Sequence, residues 1–129
     1  MVLPSLVSAH GQGFAGRPRT KGKIISTSPP RGTLRPATDA PPAGERIEQV
    51  FTLRNMVVEQ ILSGPDVAPE DYLQAQDEWI TLLAGHAVLQ IGDERVELGP
   101  GDWVLLPAGV PHRLVEVDSG SNWLAVHLH

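Results

Sequence analysis

From Met56 onward the chain reads as short apolar runs cut by turn residues every eight to twelve positions. Met56–Leu62 stops at Ser63-Gly64-Pro65, and Tyr72–Gln74 follows Pro69-Glu70-Asp71. Glu78–Leu83 ends at Ala84-Gly85, His86–Ile91 at Gly92-Asp93, and Glu94–Leu98 at Gly99-Pro100-Gly101. Trp103–Leu106 stops at Pro107-Ala108-Gly109, Pro111–Val117 at Asp118-Ser119-Gly120, and Asn122–Leu128 follows. Eight such segments joined by Gly, Pro and Asp turns predict an antiparallel all-β sandwich or barrel. No long helical period separates them, which disfavours a parallel βαβ sheet. Just upstream, Ile47, Val50, Phe51 and the stem of Arg54 recur at three-and-four spacing, predicting one short amphipathic helix or turn.

Side chains alternate across a strand, so each run divides into two faces. Ala87, Leu89 and Ile91 are more apolar than His86, Val88 and Gln90, and are expected inside; Val96 and Leu98 oppose Arg95 and Glu97. Glu78, Ile80 and Leu82 share a face, as do His112, Leu114 and Glu116. Several strands are apolar on both faces, as expected if one lines a core and the other meets a second copy of the chain.

Composition divides the chain in two. Residues 1–44 hold six Gly, seven Pro and six basic residues against one acid, whereas residues 45–129 hold four basic residues and fourteen acids. The first part buries too little apolar surface to offset its ordering entropy and is expected to be a disordered tail, with 45–129 the folded domain. Val2–Val7 is short, broken by Pro4 and followed rather than preceded by charge, which argues against a secretory signal and for a cytoplasmic location. No run approaches a membrane span, and the net charge of −5 argues against nucleic acid as a partner. With no cysteine there is no disulfide, thiolate nucleophile or cysteine-held metal.

The most informative segment is Gly101-Asp-Trp-Val-Leu-Leu-Pro107-Ala-Gly109-Val-Pro-His112. Glycine and proline at these positions make a sharp turn that delivers His112 inward at the start of a returning strand. The spacing G-x5-P-x-G-x2-H resembles the second conserved motif of the cupin superfamily. That resemblance implies a double-stranded β-helix, or jelly-roll barrel, over residues 45–129. Upstream, Glu78 and Gly85 reproduce the E-x6-G half of the first cupin motif. Tyr72 and Gln74 stand where that motif carries its two histidines, giving a Y-x-Q…E-W signature similar to that of a subgroup of small single-domain cupins.

Metal cupins bind iron, manganese, nickel or zinc through three imidazoles and a carboxylate. Carried over by position, the candidate metal ligands are Tyr72, Gln74, Glu78 and His112. An imidazole and a carboxylate suit a divalent transition metal, whereas an amide oxygen and a phenol are poor ligands. Gln76 or His127 can supplement the set, depending on which face each occupies. The alternative is a metal-free polar network in which Glu78 and His112 form a hydrogen-bonded pair. His86 is expected at the surface, and His127-Leu128-His129 is read as a chance terminal pair. Trp79 is expected at an intersheet or dimer contact, and Trp103 and Trp123 in the core or an interface.

Three functions follow from the resemblance, because the fold alone cannot choose between them. One is a metal-assisted enzyme acting on a small carbonyl or enol molecule. Another is a metal-free acid–base enzyme like the cupin sugar epimerases, with Glu78 and His112 catalytic. The third is a non-catalytic module binding a small molecule. A small-molecule ligand and a homodimer are the expected partners.

Overall fold

The computed structural model describes residues 28–129. Nine strands follow in chain order: β1 Glu45–Leu53, β2 Met56–Ser63, β3 Asp71–Tyr72, β4 Asp77–Ala84, β5 Ala87–Ile91, β6 Glu94–Leu98, β7 Trp103–Leu106, β8 His112–Val117 and β9 Asn122–Leu128. Eight coincide with the turn-punctuated runs of the sequence. β1 is a correction, because a strand replaces the short helix expected around Ile47–Arg54. A bulge between Gln49 and Phe51 inserts one residue into its pairing with β2. The alternation therefore slips by one at Val50, and the slip imitates helical spacing.

The strands form two antiparallel sheets, one ordered β1-β2-β9-β4-β7 and the other β3-β8-β5-β6. This is the expected all-β jelly roll. The inner faces share one core of Ile61, Ile80, Leu82, Leu106, Trp123 and Ala125 from the larger sheet against Ala87, Leu89, Leu98 and Leu114 from the smaller. Each large aliphatic side chain here stabilises the fold by about 1.5–3 kcal/mol through burial. Trp123, as expected, is in the core; its indole N–H is satisfied by Ser63 Oγ at 3.1 Å.

One face assignment changes and another narrows. A register shift between Val88 and Leu89 breaks the alternation along β8. His112 and Leu114 remain buried, Val117 packs on the core, and Glu116 turns out to meet Arg95 at 3.8 Å. Of the two places expected for Trp103, core or interface, the first is excluded: it is 62% exposed, because β7 is an edge strand and only its last residue, Leu106, is fully inside. Trp79 is half-buried on the outer face beside Trp103, with ring centroids 6.3 Å apart.

The glycine motif behaves as its sequence predicts. Gly101 and Gly109 adopt φ of +89° and +78°, where a side chain would be strained. Gly101 N–H bonds Leu82 O at 2.7 Å, and Gly109 N–H bonds Gln74 O at 2.9 Å. The second bond ties the loop before His112 to the segment carrying Gln74.

Of the segment read as a disordered tail, residues 1–27 lie outside the described residues. Residues 35–44 are held by specific bonds, which corrects that reading for this stretch. A 3₁₀ turn spans Ala37–Asp39. The Arg35 guanidinium donates to Glu48 and Asp39, and its backbone N–H and C=O both bond the Gln60 amide, at 2.8 and 2.9 Å. An open cleft lies between residues 30–36 and β1, with Gln60 of β2 in its lining. No helix among the described residues is long and apolar enough to cross a membrane.

Candidate functional site

The polar interior is set by strand register. Glu78 opens the inner face of β4 opposite His127 of β9, and His127 pairs in turn with Val57 of β2. Glu59 lies two residues further along β2 on that same face. Three neighbouring strands thus deliver Glu59, Glu78 and His127 to one end of the core. All three are buried: Glu59 is 7% exposed, Glu78 0% and His127 1%.

His127 is the centre of this group. Its Nε2 lies 3.1 Å from Glu59 Oε1 and 3.7 Å from Glu78 Oε2, while its Nδ1 faces the Gln76 amide nitrogen at 3.1 Å. An amide N–H donated to Nδ1 leaves the ring proton on Nε2, from which it is donated to Glu59. Gln74 donates to Glu78 Oε1 at 3.0 Å. Glu78 Oε2 accepts no hydrogen bond from the protein. Burial of a carboxylate oxygen without a donor is costly, so the atom is placed to meet something else.

A second such atom comes from the other sheet. His112, 2% exposed, opens β8 and pairs with Tyr72 of β3, the two rings stacking at 5.5 Å between centroids. Its Nδ1 is 3.5 Å from Val110 O, which can only accept, so Nε2 carries the lone pair and meets no protein partner. Desolvation pushes the His112 pKa down to about 4, keeping the ring neutral. Glu45, the first residue of β1, accepts from Ser63 Oγ at 3.0 Å, and burial raises its pKa.

Of the four predicted ligands, Glu78 and Gln74 are hydrogen-bonded together, while Tyr72 stacks on His112 with its hydroxyl 3.3 Å from Glu70 Oε1. Glu78 and His112 are not hydrogen-bonded to each other, which corrects the expected pair: Glu78 is engaged by Gln74 and lies beside His127. The set also fits a metal ion poorly. The Tyr72 phenol is turned to Glu70 and its pKa is raised by burial, and Gln74 presents its amide N–H to Glu78. Among the described residues no group of three or more histidine, aspartate and glutamate side chains is arranged to hold a metal.

His127 overturns its reading as half of a chance terminal pair; its exposed neighbour His129 only stacks on it at 6.2 Å. Glu59 belongs to no motif in the sequence. Its one signal is a carboxylate in the middle of the apolar run Val57-Val58-Glu59-Gln60-Ile61-Leu62. His86 is exposed, as expected.

Comparison with known proteins agrees with this architecture. Residues 57–127 match the cupin domain family, and the chain belongs to it. A solved structure from Ralstonia eutropha JMP134, provisionally named a mannose-6-phosphate isomerase, is 30% identical with a TM-score of 0.63, over 78% of this chain and 98% of that one. The TT1209 protein of Thermus thermophilus is 25% identical with a TM-score of 0.56, over 66% and 83%. KdgF from a Halomonas species shares the fold at 15% identity and a TM-score of 0.61, over 66% and 80%. No functionally curated protein matches the chain.

Proposed function

We propose that this cupin is an acid–base enzyme that moves a proton on a small carbonyl compound, in the manner of an isomerase or epimerase. The observation that carries the reading is the buried Glu59–His127–Glu78 row with one unsatisfied oxygen on Glu78. In this proposal Glu78 Oε2 takes the proton from the carbon next to the substrate carbonyl. The electron pair of that C–H bond moves onto the carbonyl oxygen, toward which the His127 Nε2–H turns from Glu59, while the Gln76 amide at Nδ1 holds the ring. Return of the proton to the opposite face gives the epimer, and return to the neighbouring carbon, with the hydroxyl proton there passing to the former carbonyl oxygen, gives the isomer; no other reactant is consumed. His112, with a pKa of about 4, is a poor proton acceptor and serves as a hydrogen-bond acceptor for a substrate hydroxyl. The name of the Ralstonia relative supports an isomerase class and raises a phosphosugar as one substrate to weigh.

The metal-assisted reading remains the competitor, with Glu78 and His112 as the residues best suited to an ion. The test is solvent deuterium exchange into a panel of small aldoses, ketoses and hydroxyketones, followed by proton NMR with and without chelator. Exchange that persists in chelator and falls about 100-fold in Glu78→Gln supports acid–base catalysis. Exchange abolished by chelator would instead assign the chemistry to a metal, and no exchange on any compound would leave a binding module.

The homodimer belongs to the same proposal. Trp103, Leu105 and Leu128 are 62%, 48% and 49% exposed on the outer face of the larger sheet, where Trp103 and Leu105 belong to the unpaired edge strand β7. A second copy of the chain, presenting the same strip, is the proposed cover.

A further inference from the structure

The interior of the barrel constrains the charge and the hydrogen-bonding sense of what it can hold. Of the three unpartnered buried side-chain atoms among the described residues, Ser121 Oγ lies beside Gly85, while Glu78 Oε2 and His112 Nε2 come from opposite sheets and are both acceptors. A ligand satisfies them only by bringing donors. A phosphate or carboxylate group offers acceptors instead and would leave both atoms unmatched.

The charges point the same way. Glu45, Glu59 and Glu78 all turn inward, whereas none of the described cationic side chains does. Arg35 and Arg46 meet Glu48 outside the larger sheet, Arg95 meets Glu116, and Arg113 meets Asp71 at 3.1 Å. Arg54 occupies the exposed β1–β2 turn, and Arg31 is exposed upstream of β1. There is no lysine among the described residues, nor an α-helix whose N terminus can cradle an anion.

We infer that the barrel selects a ligand rich in hydrogen-bond donors and free of negative charge, so that a hydroxyl- or amino-bearing carbonyl compound enters and its phosphate ester is rejected. The inference rests on the barrel end being the ligand pocket, as in the proposed function, and departs from the phosphosugar weighed there. A neutral hydroxyl compound and an ammonium compound share the required donors. Only the second gains from the surrounding carboxyl groups.

The experiment follows the ring-proton NMR signals of His112 and His127 in the full-length protein. Mannose, mannosamine and mannose 6-phosphate are the titrants, matched in their carbon skeleton. Mannose or mannosamine is expected to move both rings saturably, with the phosphate ester needing about tenfold more or worse. Movement by mannose identifies hydroxyls as sufficient, and movement by mannosamine alone identifies the ammonium group. In Glu78→Gln, which loses a buried negative charge, the penalty against the phosphate ester is expected to shrink several-fold. Equal or tighter binding of mannose 6-phosphate overturns the inference, as does a set of titrations in which no compound moves either ring. Selective binding without deuterium exchange would defeat the proton-transfer reading and leave this one standing.

Discussion

His127 Nε2 lies 3.1 Å from Glu59 Oε1, although 68 residues separate the two in the chain. Pairing of β2 with β9 closes that separation, and both groups are buried where water cannot replace either partner. Removing one side of such a pair leaves the other uncompensated. His127→Ala is therefore expected to cost about 3 kcal/mol in urea denaturation, with part recovered when Glu59→Gln is added. A loss well below about 1 kcal/mol, or strict additivity, would contradict the pairing.

His112 makes stability depend on pH. Its folded-state pKa of about 4 lies below the ordinary 6.5. Between these values the unfolded chain binds the proton and the folded chain does not. The stabilising contribution is complete above pH 6.5 and is lost as the pH falls toward 4, with a slope approaching about 1.4 kcal/mol per pH unit. Urea stabilities of wild type and His112→Asn should converge on acidification; a constant difference would show that the ring titrates normally.

Gln60 holds the segment before β1 through both backbone groups of Arg35 and also bonds Asn122 Oδ1 at 2.9 Å. In Gln60→Ala the Arg35 amide is expected to exchange with solvent deuterium about tenfold faster or more, while core amides such as Leu82 keep their protection. Unchanged exchange at Arg35 would mean that Gln60 does not anchor the segment.

Trp103→Glu places a charge in the proposed dimer face without touching the core. Sedimentation should show a dimer for wild type and a shift toward monomer for the variant. A wild-type monomer at all concentrations would remove the dimer.

Much of the fold was legible because its signals are local. Gly101, Pro107 and Gly109 need particular backbone angles, and the order of turns and apolar runs marked eight strands before any pairing was known. The site was only half legible. Glu78, Gln74, Tyr72 and His112 followed from motif spacing, but spacing does not say which way a phenol or an amide points. Glu59 and His127 depend on register between distant strands. Val58 and Leu62 make the outer face of β2 as apolar as the inner one, so alternation alone cannot decide where Glu59 turns. His127 looked like a terminal residue because its burial is created by β2 and β4 on either side of β9.

The two buried imidazoles carry their protons on opposite nitrogens, His127 on Nε2 toward Glu59 and His112 on Nδ1 toward Val110. Long-range proton–nitrogen NMR of the chelator-treated protein reads this directly from the ring nitrogen shifts. Opposite neutral tautomers are expected, with the His127 pattern lost in Glu59→Gln; a His127 ring protonated on Nδ1 alone, or two identical tautomers, would overturn the Glu59–His127 assignment.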